Sequence, residues 1–108
     1  MEPNRKIHKY FQVGDIVVNE SIWGNMLFII HSFGGNAYLP EAYVHRYGKP
    51  NTTKHSCNWD IRETTLVDSP KRPFRKFKKE LLLKLLKKGN VEAKREFIIR
   101  ANKKKYHV

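Results

Sequence analysis

Hydrophobic and polar positions change period once along this chain, near residue 68. Before that point, apolar residues come in short β-branched or aromatic runs separated by turn residues; after it, they recur three or four residues apart among lysines. The stretch FQVGDIVV at residues 11–18 places Val13 and a Gly-Asp turn ahead of Ile16, Val17 and Val18, the composition of a strand. Gly14 there permits a backbone conformation that other residues avoid. Trp23-Gly24-Asn25 reads as a turn and Met26, Leu27, Phe28, Ile29 and Ile30 as a second strand, which predicts a hairpin. A further strand follows the turn Gly34-Gly35-Asn36, beginning at Ala37, Tyr38 and Leu39 and resuming past Pro40 through residues 43–47. After a break at residues 48–51, the last candidate covers residues 57–67, with Trp59, Ile61, Thr65, Leu66 and Val67. Four or five strands, with turns about every 10 to 12 residues, predict a small antiparallel sheet in residues 1–67 that curls into a barrel to bury one face and limit its edges.

The later pattern is helical. Ser69 has the chemistry of an N-cap and Pro70 that of a first helical residue, with Pro73 offering a second start. Phe74, Phe77, Leu81 and Leu85, flanked by Leu82, fall on one helical face, which predicts a stripe packed on the sheet. Leu83 points away from that stripe and needs a second neighbour. Gly89 is placed to end this helix and Asn90 to cap another from Val91 to about Lys104, in which Val91, Phe97, Ile98 and Ala101 share a face. Residues 68–108 are therefore expected to form a basic helical hairpin packed on the barrel as one domain. The fold class is α+β.

The opening FQVGDIVV, followed after Trp23-Gly24 by an apolar strand, resembles the start of small SH3-like barrels of the KOW and Tudor kind. The resemblance covers about the first 30 residues and continues through the next 35 only by strand count. It implies a barrel that binds nucleic acid or protein tails through loops and exposed aromatics. Among Trp23, Phe33, Tyr38, Tyr43, Tyr47 and Trp59, most are expected to fill the core, because a small sheet needs large side chains to bury. Trp23 and Phe33 lie beside turns and are the candidates for stacking on a ligand.

Charge sharpens the functional expectation. Residues 1–67 hold seven Lys and Arg against six Asp and Glu, whereas residues 68–108 hold fifteen against four, so nearly all of the net +12 lies in the last part of this 108-residue chain. A neutral scaffold with a basic segment is expected to bind a polyanion, DNA or RNA, by neutralising phosphates and releasing their counterions. Lys71, Arg72, Arg75, Lys76 and Lys79 form the densest cluster, and Lys94, Arg95 and Arg100 could extend it. Glu92, Ala93, Lys94 and Arg95 are only part of what base-edge readout requires, so backbone contact with little base specificity is expected. The alternative is a small basic regulator or inhibitor seated on an acidic surface of a larger protein or enzyme. Richness in Lys, Asn and Ile would suit an accessory factor from an AT-rich genome, such as that of a virus or phage.

Other classes find less support. A single Cys57 allows no intrachain disulfide, and the sequence shows neither a secretory leader nor an apolar run near 18 residues, which points to a cytoplasmic protein without a membrane span. Histidines at 8, 31, 45, 55 and 107 lack zinc-site spacing, and there is no Walker loop or nucleophile elbow. No cofactor, no metal and no catalytic residue is expected. Asp15, Asp60 and Glu63 read as turn and surface carboxylates.

Overall fold

The structure, a computed structural model, describes residues 10–108; the first nine residues of the expected 1–67 unit, His8 among them, lie outside the described residues. The chain runs through β1 (Ile16–Val18), a one-turn helix α1 (Glu20–Trp23), β2 (Phe28–Gly35), β3 (Pro40–Arg46), β4 (Ser56–Asp60), a 3-10 turn (Ile61–Glu63), β5 (Thr65–Asp68), α2 (Lys79–Lys87) and α3 (Val91–Tyr106). The five strands form one antiparallel sheet in the order β4-β3-β2-β1-β5. The fold is thus α+β, an antiparallel sheet followed by helices.

Several elements differ from the sequence pattern. The expected third strand starts at Pro40, because Asn36 accepts hydrogen bonds from the Tyr38 and Leu39 amides at 2.8 and 2.9 Å and holds residues 36–39 in a turn, leaving Tyr38 exposed. The single candidate at residues 57–67 is two strands hinged at the 3-10 turn, where Asp60 accepts from the Arg62 amide at 2.9 Å.

The sheet is open, not closed into the expected barrel. Its edges are β4 and β5, and α3 lies along the outer side of β5, where Asn102 Nδ2 donates to the Leu66 carbonyl at 2.6 Å. A helix covers the edge that strand pairing would have closed. The alternation along β1 and β5 sends Val17 and Leu66 to a main core with Phe28, Ile30, Ala42, Val44, Trp59 and Ile61, and sends Val18 and Val67 to the other face. Helix α3 serves both: Ile99 joins the main core, and Tyr106, two turns later, packs on Val18 and Val67.

The apolar stripe expected from residue 74 is also revised. Residues 72–77 make two successive tight turns, Arg75 N to Arg72 O at 3.2 Å and Phe77 N to Phe74 O at 3.0 Å, and α2 begins only at Lys79. Leu82 is fully buried whereas Leu81 is 44 % exposed. The junction between the helices follows the local signals: the Gly89 amide donates to Leu86 O and the Asn90 amide to Leu85 O, with Gly89 at φ +78°, and Asn90 Oδ1 accepts from the Ala93 amide at 2.9 Å. In α3 the buried positions are Ala93, Arg95, Glu96, Ile99 and Tyr106, whereas Val91 and Ala101, expected to share a face with Phe97 and Ile98, are exposed.

Candidate nucleic-acid interface

Two adjacent charged residues of α3 decide how the basic segment is displayed. Arg95 is buried, its side chain 2 % exposed, and its guanidinium grips the Asp15 carboxylate with two bonds of 2.8 Å while also donating to the Tyr10 carbonyl. Asp15 is itself fully buried and accepts from the Gln12 amide, so the residue read as a surface carboxylate is the socket for α3. Glu92 approaches the same guanidinium at 3.1 Å. Burial of Arg95 works against its charge, but hydrogen bonding to Asp15 and the nearby carboxylates outweigh it and keep the guanidinium ionised.

Glu96 faces the opposite way, toward residues 69–77. Arg72 donates to both of its carboxylate oxygens, at 2.9 and 2.6 Å, and Arg100 donates to one at 2.8 Å. Burial acts to raise the pKa of the Glu96 carboxyl, yet the hydrogen bonds from Arg72 and Arg100 prevail and hold it below the ordinary glutamate value. Arg100 then reaches the carbonyls of Phe74, Arg75 and Phe77 at 3.2, 3.2 and 2.6 Å. The Arg75 and Phe77 carbonyls are engaged by this side chain, and the Phe74 carbonyl is shared with the Phe77 amide of the tight turn, which accompanies a loop at residues 74–77 in front of α2.

Three of the sequence candidates, Arg72, Arg95 and Arg100, are therefore engaged inside the protein. The buried Arg95 is not part of the surface, and Arg72 and Arg100 are tied to Glu96. Lys71, Arg75, Lys76, Lys79 and Lys94 are exposed. Of these, Lys94 lies 5.6 Å from the centre of the Tyr10 ring, and the other four have no carboxylate partner within ion-pair distance among the described residues. Arg75 stands at a polar cleft of about 340 Å³ shared with Ser69, Pro70 and Lys103, in which Asp68 is already engaged by Lys103 at 3.1 Å and Arg72 at 3.8 Å. Lys78 and Lys79 sit at the start of α2, which has no side-chain cap, so two cations meet the positive end of the helix dipole against the single carboxylate of Glu80 in that turn.

The two stacking candidates part company. Trp23 is 42 % exposed, with its ring 5.7 Å from that of Phe28. Phe33 is half-buried and packs against the main core. Sequence reasoning missed Arg46 and Lys54, which come together with Trp23 across the sheet end; their separation in the chain left no local signal. It missed as well the role of Asp15 and Glu96, since charged residues carry no weight in an apolar-periodicity reading.

Among the described residues, no three His, Cys, Asp or Glu side chains gather to hold a metal ion, and no helix is long and apolar enough to cross a membrane. In comparisons with known proteins, the chain matches no family model, no curated protein and no solved structure.

Proposed function

We propose that this protein is a non-catalytic nucleic-acid-binding accessory protein that contacts the phosphate backbone through Lys71, Arg75, Lys76 and Lys79, with Lys94 at the flank and with little base specificity. One observation carries the reading: from Lys71 to Lys88, Arg72 alone among the basic residues has an ion-pair partner among the described residues, so the rest of this run is a cationic surface with Glu80 as its single acidic residue. A phosphate at the start of α2 would relieve the unfavourable meeting of Lys78 and Lys79 with the helix dipole. The same reading keeps the kinship with small SH3-like barrels of the KOW and Tudor kind, in an open form. It is supported by five short strands, a last strand that returns beside the first, and the 3-10 turn that precedes it.

The test is a salt titration of binding to a mixed-sequence duplex and to a single strand. Each of Arg75→Ala, Lys76→Ala and Lys79→Ala is expected to weaken binding to all sequences alike and to reduce the magnitude of the log-log salt slope by about 1. Equal, weak binding by wild type and all three variants would overturn the proposal.

A second reading has its own observation. Leu81 and Leu83 are exposed on α2 between lysines, a surface suited to an acidic protein with apolar contacts at its centre. In that case Leu81→Asp abolishes a complex with an acidic protein and leaves nucleic-acid binding unchanged.

A further inference from the structure

A second feature lies at one end of the sheet, away from the basic segment in sequence. Trp23, on α1, lines a cleft of about 180 Å³ together with Met26, Phe28, Arg46 and Lys54. The floor is rigid: Phe28 is buried in the main core, and the Trp59 ring meets it edge-on at 5.1 Å. Trp23 is the exposed member of this aromatic series. Such a residue, large, apolar and in water, costs free energy unless something covers it.

The cleft is smaller than the roughly 300 to 1,000 Å³ of sites that enclose a whole drug-sized ligand, so it fits a single flat ring system. Charge narrows the occupant further. Arg46 and Lys54 have no ion-pair partner among the described residues, and together they would repel a cationic peptide side chain while attracting an anion attached to the ring. A nucleic acid joins a flat ring to a negative charge at every unit, and an unpaired base enters a cleft without the unpairing cost that a duplex base must meet.

We propose that the Trp23 cleft holds one unpaired nucleobase of a single-stranded nucleic acid, with the base stacked on Trp23 and an adjoining phosphate between Arg46 and Lys54. This deepens the nucleic-acid reading above and rests on it: the lysine segment grips any phosphate backbone, and the cleft selects single strands over duplexes. Stacking on a ring is indifferent to base identity, so the preference is for strandedness and not for sequence.

The chain has two tryptophans, and Trp59 is buried with its Nε1 donating to Thr64 Oγ1 at 2.8 Å, so quenching of tryptophan emission by a ligand reports on Trp23. A short mixed-sequence single strand is expected to quench the emission, and the matching duplex at the same salt is not. Trp23→Ala should lose about 5- to 150-fold in single-strand affinity with duplex affinity unchanged, the range expected for one stacked base. Trp23→Phe should retain single-strand affinity within a few-fold while losing the quenching. Arg46→Ala and Lys54→Ala should each weaken single-strand binding, and far-UV circular dichroism confirms the fold of each variant. The cleft assignment is overturned by equal quenching from duplex and single strand, by unchanged single-strand affinity in Trp23→Ala, or by quenching from a methyl-lysine peptide and not from the strand. Failure of the lysine segment looks different: Arg75→Ala and Lys76→Ala would leave both affinities intact while Trp23→Ala still lost the single strand.

Discussion

Arg95 and Glu96 are neighbours in sequence, opposite in charge and both buried, yet they do not pair with each other: Arg95 locks onto Asp15 and Glu96 onto Arg72 and Arg100. Burying an ion pair costs about as much desolvation as its attraction returns, so the arrangement contributes position more than net stability, but removing one partner leaves a bare charge inside. Arg95→Met is expected to cost about 3 to 5 kcal/mol, measured as a shift of the urea midpoint, because Asp15 is stranded. Adding Asp15→Asn to Arg95→Met should recover part of the loss, which additive costs would not produce. Glu96 makes a matching forecast in acid. Its folded pKa is depressed, so in the window between the folded value and the ordinary glutamate value of about 4.5 the unfolded chain binds more protons. Its contribution is therefore complete above that window and is lost as pH falls through the folded value. Thermal midpoints of wild type should drop on acidification below about pH 4.5, and Glu96→Gln should start lower and fall less steeply over that interval.

Helix α2 shows how a correct residue pattern yields a displaced element. The i, i+3, i+7, i+11 spacing of Phe74, Phe77, Leu81 and Leu85 is helical, but Arg100 takes the Phe77 carbonyl and shares the Phe74 carbonyl with the Phe77 amide of a tight turn. With the first turns removed, Leu82 becomes the buried contact and Leu81 turns outward. Leu82→Ala is expected to cost about 2 to 5 kcal/mol, and Leu81→Ala no more than about 0.5 kcal/mol, by chemical denaturation. A large loss at Leu81 would show that the outward leucine is covered in solution. The α2-α3 junction, in contrast, was legible, because the Gly89 and Asn90 signals act on amides and carbonyls within a few residues and need no distant partner.

Across the molecule, the excess positive charge works against compactness, and four of the carboxylates, Asp15, Asp68, Glu92 and Glu96, are committed to internal pairs. Raising salt from low ionic strength should therefore increase the thermal midpoint while weakening nucleic-acid affinity, and the two opposite trends can be measured on one sample series. A midpoint that falls with salt would mean that attractive pairs outweigh self-repulsion. The amino-acid sequence by itself determined the division into a strand-forming part and a lysine-rich helical part, a turn at Asn36 and another at Gly89-Asn90, and the segment where the charge gathers. These depend on composition and on contacts a few residues apart. Only the tertiary structure decided that the sheet stays open beneath α3, that Arg72, Arg95 and Arg100 are engaged within, and that Trp23 lines one cleft with Arg46 and Lys54. Arg95 and Asp15 are 80 residues apart in sequence but 2.8 Å apart in space. Hydrogen bonds and ion pairs act over a few ångströms of space, whatever the length of chain between the partners, so the fold alone settles which cations remain free.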